Sequence, residues 1–294
     1  MKKTRPHLYR PRLVSRTGQM NVLRTGVPRW HFSDLYHWLL TLSWLGFFGL
    51  ICLLYIIINT LFAIAYLAGG DCIANAQSGS FFDAFFFSVQ TMATIGYGAM
   101  YPRTAYANCI VTIEALVGLL GVAMVTGLAF ARFSRPTARV IFSKVAIITP
   151  FNGVPTLMYR TANQRSNQIL EAQQRVTLLR NEIMADGQFM RRFYDLQLIR
   201  SQTAIFALTW TVMHPIDESS PLYGLTPEDF ISQEIEIVVT LTGLDETVSQ
   251  TIHARHSFIP EEIVWDARFV DIISNTPDGK RFINYTRFHD ISPL

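Results

Sequence analysis

Charge is scarce in this 294-residue sequence: Asp, Glu, Lys and Arg make up 16% of it, against 50% hydrophobic residues. That balance lies between a soluble protein and a pure membrane bundle, so the apolar excess must be concentrated locally. No charged residue occurs from Trp38 to Gly70, and Cys109 to Ala131 holds a lone Glu114. Acidic residues are missing from residues 1–30, which carry Lys2, Lys3, Arg5, Arg10, Arg12, Arg16, Arg24 and Arg29. Cysteine is nearly absent. Cys52, Cys72 and Cys109 have no metal-ligand spacing and make no disulfide framework, although Cys72 and Cys109 fit either a bridge or two free apolar thiols. Repeats and low-complexity tracts are missing, and the basic N-terminus lacks the apolar core and cleavage site of a secretory leader. There is no Gly-x-Ser-x-Gly elbow, His-Glu-x-x-His pair, phosphate loop or dinucleotide fingerprint. His214, Asp217, Ser219, His253 and His256 therefore fit no enzyme template, and neither a cofactor nor a nucleic-acid partner is expected.

What is present is two apolar runs, each long enough to cross a bilayer, which needs roughly 20 residues at about 1.5 Å of rise. Phe32, Leu35, Tyr36, Leu39 and Leu40 form an i, i+3, i+4 stripe ahead of the first. Two placements fit: an interfacial amphipathic helix over 33–43 followed by a span over 44–68, or one long tilted helix. Gly46 and the headgroup-level anchors Trp38 and Trp44 favour the break. The second span is expected over 107–133, with Pro136 ending it. Basic residues in 1–32 and at Arg132, Arg135, Arg139 and Lys144, set against Arg103 alone between the spans, place both termini in the cytoplasm of a multi-pass protein of the inner (plasma) membrane.

Beyond residue 134 the pattern changes. Val145–Ile148, Thr156–Arg160, Gln174–Arg180, Ala204–Trp210 and Glu234–Leu241 alternate β-branched and polar residues, and Asn152-Gly153, Asp186-Gly187, Thr242-Gly243 and Asp278-Gly279 supply turn signals. Residues 134–294 are thus expected to form an all-β sandwich.

Between the spans, residues 80–98 are apolar but too short to cross, and they return through Gly96, Gly98 and Pro102 as a re-entrant loop does. Ser80-Phe-Phe-Asp83 reads as a capping box, so a short helix starts there and its negative C-terminal end favours a cation at mid-membrane. Thr94-Ile95-Gly96-Tyr97-Gly98 follows. Stripping water from an ion requires successive carbonyls on one side of the strand, which glycine permits at alternate positions. Thr94 adds a hydroxyl acceptor, and Ile95 and Tyr97 are free to pack outward. Four such strands around an axis make stacked oxygen cages. In an arbitrary soluble chain the pentapeptide would be an ordinary turn; the flanking spans and the capped helix argue for the filter.

Ala131-Arg-Phe-Ser-Arg-Pro136, Leu157-Met-Tyr-Arg-Thr-Ala-Asn163, Thr209-Trp-Thr-Val-Met-His-Pro-Ile-Asp217-Glu-Ser-Ser-Pro221 and Ala254-Arg-His256 ahead of Ile263-Val-Trp265 extend the pattern. With the filter, the sequence resembles the inward-rectifier potassium channels, most closely their bacterial members, over about residues 30–290. The resemblance implies a homotetramer, this chain with three identical subunits, whose immunoglobulin-like β-sandwich extends the pore into the cytoplasm. It implies K+ held by Thr94, Ile95, Gly96 and Tyr97, with Gly98 closing the filter. It also implies pore-lining side chains at Val122, Thr126 and Phe130, with Phe130 as a hydrophobic gate, and a vestibule carboxylate at Glu171. Arg29, Arg132 and Arg135 are expected to meet anionic lipid headgroups. Three departures stand out. Val122 replaces a polar or acidic cavity residue of strong rectifiers, Thr242 replaces a second vestibule carboxylate, and Gln90 with Ala99 and Met100 replaces an ion pair behind the filter. Glu114 is either functional or a hydrogen-bonding partner beside the short helix. A membrane-anchored β-sandwich binding module without ion conduction is the alternative; it requires no flux and no dependence on Gly96.

Overall fold

The computed structural model describes residues 12, 13, 15, 25, 26, 34–275 and 281–294. They form two compact units: Gly26–Arg135, and Pro136–Leu294 together with the described part of Met1–Thr25.

In the first unit, α1 (Leu35–Thr41) stops before α2 (Trp44–Ala68) begins. The break has a local cause. Ser43 is extended and its Oγ accepts the Gly46 amide at 3.1 Å, satisfying an amide that a continuous helix would have bonded to a carbonyl. Arg132 closes the other side, donating through Nη1 to Leu39 O and through Nη2 to Leu42 O, each at 2.6 Å. Its guanidinium lies 4.7 Å from the ring centroids of both Trp44 and Phe47. At 25 residues α2 is about 37 Å long, enough to span.

The two-residue strands β1 (Ile73–Ala74) and β2 (Tyr101–Pro102) pair antiparallel and bracket α3 (Phe81–Met92). Ser80 caps α3 by accepting the Asp83 amide, but only one arm of the expected capping box forms. The Asp83 carboxylate accepts from Gln77 N at 2.7 Å, and Ser80 N is taken by Gln77 O. The last helix of this unit, α4 (Ala105–Phe133), begins two residues before the expected boundary at 107 because Thr104 Oγ1 caps it through Ala107 N. Gly118 of α4 lies against the end of α3, where a Cβ would meet Met92 O at 2.5 Å. Cys72 is buried and Cys109 exposed, and both are free thiols, so of the two readings left open the unbridged one holds.

The second unit contains β3 (Val140–Phe142), β4 (Ala146–Phe151), β5 (Val154–Asn163), β6 (Ile169–Ile183), β7 (Phe189–Asp195), β8 (Gln202–Phe206), β9 (Thr209–Pro215), α5 (Pro227–Ser232), β10 (Glu236–Asp245), β11 (Gln250–Phe258), β12 (Ile263–Trp265), β13 (Ala267–Phe269), β14 (Ile273–Asn275), β15 (Arg281–Ile283) and β16 (Ile291–Pro293). One sheet runs β11-β10-β6-β7 with β8 on β6; the other runs β12-β4-β5-β3 with β9 on β5. Alternation along β10 and β9 sends Ile237, Val239, Leu241, Trp210 and Val212 into a common core with Leu157, Tyr159, Val176, Leu178 and Phe258. This is a β-sandwich.

Three sequence expectations for this unit change. Thr242-Gly243 is not a turn: it lies inside β10, where pairing with β6 slips between Thr242 and Leu244, and a Cβ at Gly243 would meet Ile169 Cγ2 at 2.5 Å. Its glycine serves close approach, not reversal. Ala204–Trp210 is not one strand but the end of β8 and the start of β9, which belong to different sheets. The N-terminal residues are not a separate basic segment throughout, since Arg12 ion-pairs with Glu262, donates to Ser257 O at 3.4 Å, and is followed by Leu13 N donating to Glu236 Oε2 at 3.0 Å. Asn152-Gly153 does turn the chain, with φ of 52° and 84°, joining β4 to β5. Asp278-Gly279 lies outside the described residues.

His214 is buried in β9 with Nδ1 2.6 Å from Gln197 O and Nε2 2.7 Å from Ser220 Oγ. A carbonyl can only accept, so Nδ1 carries the hydrogen and neutral Nε2 accepts from Ser220. Burial lowers the imidazole pKa below its ordinary 6.5, outweighing the Gln197 carbonyl and Asp217, which raise it. The stability this arrangement contributes is therefore present above about pH 6.5 and is lost as pH falls from there through the lower folded value. The thermal midpoint of the full-length protein in detergent should drop on acidification through that window, and His214→Gln should flatten the drop. Gly243→Ala should lower stability by about 1–3 kcal/mol through overpacking against β6, read as a lower denaturation midpoint.

Candidate ion-conduction site

The pore segment is built on the C-terminal end of α3. Ala93 N donates to Val89 O at 3.0 Å, Thr94 N to Thr91 O at 3.1 Å and Ile95 N to Gln90 O at 2.9 Å, so the helix runs directly into the strand that follows. Gln90 thus tethers Ile95 through its backbone. The end of α3 presents carbonyls toward that strand, a partial negative charge where a cation would rest.

Along Thr94–Gly98 the backbone alternates. Thr94, Gly96 and Gly98 have φ of 54°, 61° and 81°, while Ile95 and Tyr97 stay at negative φ. Residues alternating between the left- and right-handed regions turn successive carbonyls to the same side, where an extended strand would alternate them. A Cβ at Gly96 or Gly98 would meet nothing within 4 Å, so it is φ and not space that demands glycine there. Thr94 adopts the same region despite its β-branch, a strained state held by its hydrogen bond to α3. The sequence pattern identified the glycines as the free positions and did not reveal that Thr94 joins them.

Beyond the strand, Asn75 Nδ2 donates to Ala99 O at 2.8 Å, and Arg103 binds the Asp71 carboxylate. Asn75, with φ of 59°, is a supporting residue that sequence reasoning missed, because nothing in its neighbourhood predicts that it reaches 24 positions along the chain. Behind α3 sits a buried polar cluster. Tyr66 of α2 and Ser88 of α3 both contact the Glu114 carboxyl of α4, Tyr66 Oη at 2.5 Å from Oε2 and Ser88 Oγ against Oε1. Ser88 Oγ also lies 2.9 Å from Asn59 Oδ1, and Asn59 Nδ2 reaches Tyr55 O at 2.7 Å and Met92 Sδ at 3.5 Å. Asn59, Ser88 and Glu114 are fully buried.

The remaining predicted residues divide. Val122, Thr126 and Phe130 are four apart on α4, on one face, and all are exposed in the isolated chain, Phe130 to 73%. Leu119 and Met124 are comparably exposed at 68%, so α4 offers more than one uncovered apolar face. Glu171 is exposed, with φ of 48°, where β6 bulges against β10; the bulge re-aims its side chain. Arg135 is exposed and gives Nη1 to Leu40 O at 3.2 Å, whereas both terminal nitrogens of Arg132 are committed to α1 carbonyls. Arg29 lies outside the described residues. Asp217 accepts from Ser219 N and Oγ in a local turn, and Thr242 Oγ1 lies 3.1 Å from His253 Nδ1. His253 is exposed and His256 buried, on opposite faces of β11.

A family model described as the inward rectifier potassium channel C-terminal domain matches residues 140–294, and one described as an ion channel matches residues 50–135. Inward rectifier potassium channel Kirbac3.1 of Paramagnetospirillum magnetotacticum is 50% identical over 289 residues, covering 98% of each chain. G protein-activated inward rectifier potassium channel 1 of Bos taurus is 31% identical, covering 97% of this chain and 62% of that protein. Inward rectifier potassium channel irk-1 of Caenorhabditis elegans is 28% identical, covering 100% and 59%. The chain thus spans about six tenths of those two animal relatives and nearly all of the bacterial one. Both spans and the β-sandwich fall within the matched regions, and this chain belongs to the inward-rectifier potassium channel family.

Proposed function

We propose that this chain is one of four identical subunits of a potassium-selective channel that conducts K+ passively across the plasma membrane, with both termini in the cytoplasm. The observation that carries this reading is the alternating backbone of Thr94–Gly98 at the C-terminal end of α3. Four copies around an axis supply rings of carbonyl oxygens, and the Thr94 hydroxyls supply the innermost ring. A dehydrated K+ then exchanges water for oxygen ligands at each ring and moves between rings when another ion enters. Four α3 C-termini add a converging negative field beneath the strand.

Phe130 forms the gate in this reading: a ring of four phenyl groups excludes water and so stops ions without a charge. Glu171 concentrates cations at the cytoplasmic end. Anionic lipid acts at Arg29 and Arg135, where a headgroup contributes around 1 kcal/mol per basic residue. Arg132 holds the α1 carbonyls, so its influence on a bound lipid is exerted through α1.

Full-length protein reconstituted into liposomes with an outward K+ gradient should accumulate rubidium, barium should block that uptake, and Gly96→Ala should abolish it, because the added Cβ resists a φ of 61°. Sodium entering as readily as rubidium would refute the selectivity. Val122 lacks the charge that draws polyamines into a cavity, so internal spermine should block weakly. Val122→Glu should tighten that block by roughly tenfold or more, equivalent to about 1.4 kcal/mol, in planar-bilayer recordings.

A further inference from the structure

The cluster behind α3 fixes where one hydrogen atom must be. Asn59 is oriented by its neighbours: the group 2.7 Å from Tyr55 O has to be a donor, so the amide nitrogen faces Tyr55 and Oδ1 faces Ser88. Oδ1 can only accept, so the single Ser88 hydroxyl hydrogen is directed to Asn59. Ser88 then has none left for Glu114 Oε1, with which it is in close contact. The Tyr66 hydroxyl is committed to the other carboxyl oxygen, Oε2, at 2.5 Å. Two acceptors pressed together in a site that excludes water would repel; the contact is attractive if Glu114 itself donates.

We infer that Glu114 is a hydrogen-bond donor, a carboxylic acid in a one-directional chain from Tyr66 through Glu114 and Ser88 to Asn59 and on to Tyr55 O and Met92 Sδ, and that this chain positions the filter. Every acceptor in it is satisfied, and it ties together α2, α3 and α4. Glu114 and Gly118 are one turn apart on α4, as Ser88 and Met92 are on α3, so the clasp holds α3 at two successive levels. Its upper level ends at Met92, two residues before Thr94. The positions where the resemblance leads one to expect a charged pair hold Gln90, Ala99 and Met100, which carry no charge. Glu114 is a positioning residue: it acts on the strand through α3.

This inference rests on the channel reading, and two measurements separate their fates. In infrared difference spectra of full-length wild type minus Glu114→Gln at neutral pH, a protonated-carboxyl carbonyl band should be present. Carboxylate bands in its place would overturn the donor assignment, whatever the protein conducts. In the liposome assay, Glu114→Gln should keep the rubidium-to-sodium uptake ratio, because its amide donates to Ser88 and its carbonyl accepts from Tyr66. Glu114→Ala and Ser88→Ala should lower that ratio by about tenfold. Equal losses in Glu114→Gln and Glu114→Ala, or an unchanged ratio in Glu114→Ala and Ser88→Ala, would overturn the positioning role. Should Glu114→Ala not assemble, as judged by size-exclusion chromatography, Ser88→Ala and Tyr66→Phe, each removing a single hydroxyl, decide the matter in the same assay. A wild type that does not discriminate rubidium from sodium would count against the channel reading alone.

Discussion

The structure depends on a backbone that must do what L-amino acids resist. Three of five successive residues, Thr94, Gly96 and Gly98, occupy the left-handed region so that carbonyls accumulate on one side. Such a strand makes few hydrogen bonds of its own and has no sheet to lie in. It survives because its surroundings over-determine it: α3 bonds to its first residues, Asn75 holds Ala99 beyond its end, and the Asn59–Ser88–Glu114–Tyr66 cluster keeps α3 itself from rolling. The two long helices of this unit can be seen as the scaffold that makes this improbable strand tolerable.

The energetics of that scaffold differ from those of the β-sandwich. In a bilayer, apolar helices gain little by burying Leu or Ile against each other, since lipid is as apolar as the partner. Specificity therefore falls to polar contacts and close approach, and those are what the first unit shows at Glu114, at Asn59, and where Gly118 meets Met92 O. The second unit faces water, and its two sheets are held by a continuous aliphatic and aromatic core between Leu157, Val176, Ile237, Val239 and Phe258. One chain thus uses two folding economies, joined at Pro136.

Much of this was legible in the residues because the signals were local. Ser80 caps a helix where a hydroxyl precedes an apolar run, and the paired glycines announce positive φ. What the sequence hid depended on neighbours far along the chain. Gly243 looked like a turn because a glycine admitting a close strand and one reversing the chain have the same composition around them; contact with Ile169 decides between them. Ala204–Trp210 looked continuous because Ala207 and Leu208 carry no breaker, yet the chain changes sheets there. That Arg132 also donates to carbonyls 93 and 90 positions away was not visible, because positive charge at a membrane edge suggests headgroups alone. Glu114 was visible as an oddity, one acid in an apolar run, but whether it donates or accepts follows only from its partners Tyr66 and Ser88 and from Asn59 beyond them, on two other helices.

The hydrogen bond from Arg12 to Ser257 spans 245 positions, and between them lie both membrane helices. During synthesis the residues near Arg12 leave the ribosome first, yet the strand they fasten to, β11, is made after everything destined for the bilayer. The sandwich is therefore unable to close until translation is well past the membrane segments, and its early strands wait with an edge uncovered until β10 and β11 arrive. Insertion precedes completion by topology alone, and the nascent chain is most vulnerable to misassociation after its pore segment has formed and before its final strands arrive.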